Sequence, residues 1–330
     1  MGDSSSSAGE GQPRGRLYHA TGPDRDVELT RRLVASLKSR QLLWVDIYSR
    51  DHARFDRIAR LVDIPDAAAG LVLEDLGHAH LVRYRDAVHL TVEALETEAG
   101  GRAARRELDL FARRNVVVTV HDGPVAALKQ FQDQLRGDTH IGKLDAGAFL
   151  AAIVDTVLTT YFGQVEEIER DIDKLDDVAL RGPEGDDFLV DVQRQRRRVA
   201  VLRRTIAPHR EALAPLGRAD VALDEVLGTP QPQLGERLER VIDAVENARE
   251  LLVGAFDIYL GRTAQRTNEV MKVLTVLSAV LLPSVVLAGV MGMNFKLDFF
   301  DQASNFWLVI GVMAAMAIGI LAVARLRRWI

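Results

Sequence analysis

Apolar and polar positions alternate along this chain with three different periods. Over residues 16–135, short apolar runs are mixed with helix-period segments. Residues 41–48, 78–84, 87–93, 107–112 and 116–120 read as strands. Asp75-Leu76-Gly77 and Arg85-Asp86 supply turns between them. Residues 25–38, 53–61 and 124–135 read as helices. Strands with helices on either side predict an α+β layer domain.

From residue 145 the period becomes wholly helical. Phe149, Ile153, Val157, Tyr161, Val165, Ile168, Ile172 and Leu175 recur at helix spacing up to residue 180, and the far half, EEIERDIDKLDD, is dense in acid. A second helix is expected over residues 186–215, with the basic positions Arg194, Arg196, Arg197, Arg198, Arg203 and Arg204. Antiparallel neighbours of opposite charge would pair; two solvated faces is an equal reading. Gly228-Thr229-Pro230-Gln231-Pro232 breaks the chain.

A third helix starts near Leu234, and no stop signal precedes Pro283. That is about 55 residues, or roughly 80 Å. One stripe runs along it in steps near three and four: Glu236, Glu239, Asp243, Glu246, Glu250, Asp257, Gly261, Ala264, Asn268, Met271, Ser278, Leu282, Val285, Gly289 and Gly292. Its first part is acidic, which by itself also fits a wet face. Its last part is small or apolar, which permits close helix approach. Copies packed round an axis would enclose a passage for cations. The opposite stripe, Leu234, Leu238, Ile242, Val245, Leu252, Phe256 and Tyr259, would pack on the domain.

Two blocks lack charge altogether. The first covers residues 273–291 and the second 306–323, each about long enough to span roughly 30 Å of hydrocarbon. Pro283 lies inside the first, where membrane helices tolerate proline. Arg262, Arg266 and Lys272 precede the pair, and Arg325, Arg327 and Arg328 follow it. The positive-inside rule then puts both termini in the cytoplasm and the short connection outside, in a cell (plasma or inner) membrane.

Composition changes this picture little. The 330 residues carry 42 Lys+Arg against 47 Asp+Glu and no cysteine. Disulfides and thiolate metal sites are excluded, and nothing suggests a nucleic-acid partner. Residues 1–15 are Ser/Gly-rich and are expected to be a disordered tail rather than a signal peptide, although Met1-Gly2 opens a loose myristoylation pattern. No phosphate loop, dinucleotide fingerprint, zinc-protease helix or nucleophile elbow occurs, so the chain is not expected to be an enzyme. His78-Ala79-His80 alternates like a metal pair but lacks partners. A membrane-anchored protein that docks partners on the acidic helix is the competing non-transport reading.

The segment TNEVMKVLTVLSAVLLPSVVLAGVMGMNF, residues 267–295, closely resembles the first membrane helix of the CorA family of divalent metal-ion transporters. FDIYL before it and DTVLTTYFGQVEEIERDIDKLDD in the helical hairpin extend the resemblance, which reaches from about residue 40 to the basic C-terminal tail and is weak before residue 145. It implies a funnel-shaped homopentamer in membrane lipid, with an α+β cytoplasmic domain, a long stalk helix and two C-terminal transmembrane helices. The expected segments are 16–144 for the domain, 145–233 for the hairpin and 234–272 for the stalk. The pore-lining span would cover 273–291, the outer loop 292–305, the second span 306–324 and the tail 325–330.

The resemblance also implies site residues. Gly292, Met293 and Asn294 would form the selectivity filter, with Asn294 holding a hydrated ion at the outer mouth. Asp257 and Asn268 would be polar rings meeting the ion mostly through water. Met271, Leu274 and Leu282 would form a hydrophobic constriction, and Ser278, Val285 and Gly289 complete the lining. Glu236, Glu239 and Asp243 are candidates for a regulatory divalent site, with Asp75 or Glu74 across an interface. One expected stalk acid is Gln233 here, and the outer loop has Lys296, Asp298 and Asp301 in place of a Met-Pro-Glu-Leu pattern. Mg2+ is implied as cargo and as a candidate regulator, with no organic cofactor. Co2+, Ni2+, or Zn2+ as in the ZntB branch, stay open as cargo.

Overall fold

A computed structural model describes residues 14–20, 23–48, 52–73, 77–97, 103–135, 145–181, 187–293, 303–327 and 329. The chain divides into two compact units. Met1–Leu175 with Leu189–Val253 form one, and Asp176–Phe188 with Gly254–Ile330 form the other.

The first unit is built on one mixed sheet. Its strands are β1 (Arg14–His19), β2 (Arg25–Glu28), β3 (Gln41–Ile47), β4 (His80–Arg83), β5 (Val88–Thr97), β6 (Ala103–Arg113) and β7 (Val116–His121). The order is β2-β1-β3-β7-β6-β5-β4. Only β3 and β7 pair in parallel. Residue alternation along β3 explains the layers. Leu43, Val45 and Ile47 meet Phe55, Ile58 and Val62 of α2 (His52–Val62) and Ala68 and Val72 of α3 (Asp66–Leu73). Trp44 points the other way. Its ring lies 5.9 Å from Phe131 of α4 (Ala126–Leu135) and 5.7 Å from Phe149 of α5 (Ala146–Arg181), both edge-on. Its indole N–H donates to Thr119 Oγ1 at 3.1 Å, so the buried polar atom is paired.

The strands expected from β3 onward are present, and two more precede them. Residues 25–38 do not form one helix. Arg25–Glu28 pairs antiparallel with β1, and only Arg31–Ala35 is helical (α1). Thr30 caps α1, its hydroxyl accepting from Leu33 N–H at 3.2 Å. The sheet edge overrides local propensity here. Arg14 and Gly15, expected in the tail, start β1.

The second expected hairpin helix also breaks. α6 (Asp187–Ile206) ends before Pro208, which lacks the N–H needed to continue. A short α7 (His209–Leu213) and a 3-10 turn (Ala214–Gly217) follow, then α8 (Val221–Leu227), which the pattern did not predict. Charge pairing between hairpin helices is real but concentrated on one residue. Arg198 reaches Glu167 and Asp171, each at 3.0 Å. Burial pushes the Asp171 carboxyl up, but donation from Lys174 and the Arg198 charge hold it below the usual carboxylate range.

β5 extends past the end of β4, whose register stops at His80 opposite Thr91. The backbone of Glu93 and Leu95 would be left open on that edge. Side chains close it. Glu93 N–H donates to His209 Nε2 at 3.2 Å, and Tyr161 O–H donates to Glu93 C=O at 2.7 Å. Leu95 N–H donates to Thr160 Oγ1 at 3.2 Å. His209 Nδ1 sits 3.1 Å from Thr205 C=O and carries the proton that this pairing requires.

α9 (Pro232–Met291) and α10 (Ala303–Leu326) end the chain. Pro232 occupies the first helical position, where its missing N–H is harmless. Among the described residues three helices contain a stretch long and apolar enough to cross a membrane, but their burial separates them. The apolar window of α5 is 61% buried inside the protein, against 6% for α9 and 0% for α10. α5 is therefore a core helix.

His209 gives a pH-dependent stability. Burial lowers its pKa from 6.5 to about 4. Between those values the unfolded chain binds the proton and the folded chain does not, so stability falls as pH drops from 6.5 towards 4. The loss is on the order of 3 kcal/mol in full. Denaturation midpoints of the full-length protein across that range should show this slope, and His209→Gln should flatten it. An unchanged slope in the variant would remove His209 as its source.

Candidate functional site

On α9 the first unit holds the early turns. Leu234, Leu238, Val241, Val245, Ala248 and Leu252 are buried, close to the expected packing stripe. Glu236, Glu239, Asp243 and Glu250 are exposed on the other side. From Leu260 to Thr275 every residue is exposed, so among the described residues none buries that length of helix. Farther along, α9 has one partly covered stripe. Val276 is buried, and Val280, Pro283, Ser284, Leu287 and Met291 are half-buried; all other residues from 273 to 293 are exposed. α10 has a matching stripe: Asn305, Val309, Met313, Ala317 and Ile320 half-buried, and Ala324 buried. These are the stripes that an antiparallel helix pair covers. Trp329, after α10, shares a cavity of about 380 Å³ with Gln265, Asn268, Glu269, Met271, Lys272 and Thr275. The C-terminal end of α10 therefore lies beside the start of the apolar part of α9.

The candidate lining residues fall opposite that covered stripe. At 100° per residue, Met271, Leu274, Ser278, Leu282, Val285 and Gly289 centre roughly half a turn away from Val276, Val280 and Leu287. All of them are exposed in the single chain, as are Asp257 and Asn268. Asp257 and Asn268 make no hydrogen bond or ion pair among the described residues. Among the described residues nothing crowds the glycines of the stripe at 261 and 289. A Cβ on Gly261 or Gly289 would meet nothing within 4 Å. One on Gly292 would make ordinary contacts of 3.5 and 3.6 Å with carbonyls of its own helix. The helix finishes with Gly292 N–H donating to Ala288 C=O at 2.9 Å and Met293 N–H to Val290 C=O at 3.2 Å. Proline at 283 leaves the Ala279 carbonyl without its usual backbone donor, and Ser284 Oγ donates to Val280 C=O at 3.2 Å one turn back. Asn294, Lys296, Asp298, Asp301, Glu74 and Asp75 lie outside the described residues.

Within the single chain, Glu236, Glu239 and Asp243 form no group arranged to hold a metal among the described residues. Both Glu239 oxygens accept from Arg210, at 2.9 and 2.7 Å. That hydrogen bonding holds the Glu239 carboxyl below its ordinary range. Glu246 pairs with Arg203 at 3.0 Å. Sequence reasoning missed both arginines as partners, although the basic run was visible. No group of three or more His, Asp or Glu among the described residues is arranged to hold a metal. The His78–His80 pair follows that pattern. His80 Nε2 lies 3.4 Å from Thr91 Oγ1, and Thr91 donates to Asp109 Oδ1 at 2.6 Å. His89 Nε2, at 2.8 Å, completes a buried hydrogen-bonded cluster on the sheet. Burial lowers the pKa of His80.

Comparison with known proteins gives this arrangement its setting. The chain is 32% identical over 197 residues to the cobalt/magnesium transport protein CorA of Thermotoga maritima, a match covering 58% of this chain and 54% of that protein. It is 28% identical over 295 residues to the putative metal ion transporter YfjQ of Bacillus subtilis, covering 84% and 86%. Its fold matches the complete structure of the CorA magnesium transporter from Methanocaldococcus jannaschii with a TM-score of 0.73 at 18% identity, over 96% of this chain and 98% of that one. That structure supports the fold: an α+β region, a long helix and C-terminal apolar helices. The profile of one family, described as CorA-like Mg2+ transporter protein, matches residues 39–326, and the chain belongs to that family.

Proposed function

We propose that this chain is one subunit of a homopentameric channel that carries divalent cations, chiefly Mg2+, across the cell membrane down their electrochemical gradient. The observation that carries the reading is the stripe from Asp257 to Gly289, exposed and opposite the face of α9 that is partly covered. Copies of α9 round an axis would turn this stripe inward and leave α10 outside. Small residues at Ser278 and Gly289 let helices approach closely. Trp329 beside the start of the apolar part of α9 supports two spans that return to one side, and the flanking arginines favour the cytoplasm for that side.

Each part of the stripe has a physical task. Mg2+ gives up its water reluctantly and keeps octahedral geometry. A ring of Asn294 amide oxygens accepts hydrogen bonds from those waters without stripping them. A carboxylate ring would hold the ion longer, and conduction needs release. Asn268 and Asp257 repeat this wet contact farther in. Met271, Leu274 and Leu282 form an apolar constriction that closes the path by excluding water. The membrane potential supplies the drive, about 2.3 kcal/mol per charge per 100 mV and about twice that for a divalent ion. No ATP-binding motif is required.

Uptake into proteoliposomes with an entrapped Mg2+ dye tests the reading. Mg2+ entry should grow with an inside-negative potential and fall to background in Asn294→Ala, with the oligomer still assembled. Undiminished flux in that variant would remove Asn294 from the filter. Zn2+ entry that tracks a proton gradient, with little Mg2+ entry, would instead favour the zinc reading. Assembly has its own check. The detergent-solubilised protein should have the mass of five chains, and Gly289→Leu should dissociate it and abolish flux. A stable monomer that conducts nothing would favour the docking-protein reading.

A further inference from the structure

The acidic stripe of α9 is met by a basic one from the same chain. Arg203 on α6 and Arg210 on α7 are seven residues apart, and so are their partners Glu246 and Glu239. The two helices run antiparallel past α9, and the pairs form successive rungs in one register. The Arg210 rung is the stronger in geometry, a two-pronged contact in which both guanidinium donors meet both oxygens of Glu239. Asp243, one turn along, adds its charge beside the same guanidinium. Glu236, Glu239 and Asp243 share a face at steps of three and four. Without the arginine, that face would carry three carboxylates. Of the neighbouring bases on α9, Arg237 is 3.2 Å from Asp155 and Arg249 is 3.6 Å from Glu246, while Arg240 is exposed.

We propose that Arg210 is a resident cation that closes the Glu236–Glu239–Asp243 face to divalent ions, so that this part of the stalk is held to α7 without a metal. A regulatory ion, where one acts on the channel proposed above, binds elsewhere. The chemistry favours the arginine locally. Its charge is fixed and needs no dehydration of a tightly hydrated ion, and its planar fork matches the carboxylate. A divalent ion would have to displace two charge-assisted hydrogen bonds before it gained a ligand.

Bound Mn2+ per chain, measured on the full-length protein in detergent by loss of the free-ion electron paramagnetic resonance signal, tests this. Mn2+ stands in for Mg2+ as a hard divalent ion. Wild type and Glu239→Gln should bind the same number of ions. Arg210→Gln should bind one more per chain, and Arg210→Gln combined with Glu239→Gln should lose that gain. Arg210→Lys, which keeps the charge, should gain none and serves as the folding control. A Mn2+ site present in wild type and lost in Glu239→Gln would overturn the proposal. So would Arg210→Gln gaining nothing while its circular dichroism stays native. Failure of ion uptake would count against the channel reading and leave these ion counts unaffected.

Discussion

Hydrocarbon offers a peptide backbone no hydrogen bonds, and the helical ladder of α9 is the answer to that constraint. A helix is one of two ways a chain can cross a bilayer with every backbone group satisfied. α9 keeps that ladder from Pro232 to Met291 except at Pro283. The same helix is amphipathic where it packs on the sheet-based unit, exposed all round from Leu260 to Thr275, and apolar beyond. Its side chains change with their surroundings while its backbone does not. Pro283 is the one interruption in the apolar part, and Ser284 lies next to it with its hydroxyl on the carbonyl one turn back.

Where α9 leaves the sheet-based unit, polar contacts fix its register more sharply than apolar packing alone would. A buried stripe of leucine, valine and alanine tolerates small shifts. Two guanidinium–carboxylate rungs do not, because sliding by one residue would separate both. Exposed ion pairs contribute little to stability as a rule. Their value here is positional. A similar division holds at the sheet edge. Glu93 and Leu95 are hydrogen-bonded by side chains from α5 and α7, so a helix hairpin takes the place of a longer edge strand.

The exposed glycines and the exposed lining stripe have one explanation in common. Among the described residues, nothing lies within 4 Å of a Cβ built on Gly261 or Gly289, and Met271 and Leu282 are exposed. In the assembly proposed above, copies of the same helix would account for both, since small residues with a polar-to-apolar gradient suit close helix approach.

The sequence by itself determined the elements whose signal is periodic and local. The strands from β3 onward, the core period of α5, the length of α9 and the two uncharged blocks all follow from spacing, because each residue there answers mainly to its own helix or strand. The family was legible from residues 267–295 because the resemblance there is carried by consecutive residues of one local segment. Only the tertiary structure decided the rest. Arg25–Glu28 is a strand because β1 lies beside it, although its charge pattern suits a helix. Glu239 is a partner of Arg210 and not of a second acid, because the break at Pro208 sets α7 against α9. The proposed lining stripe is distinguished from the other exposed faces of α9 by the face that is partly covered, which no periodicity in α9 alone contains. Pairing between distant segments is a contest among many possible partners, and local pattern does not name the winner.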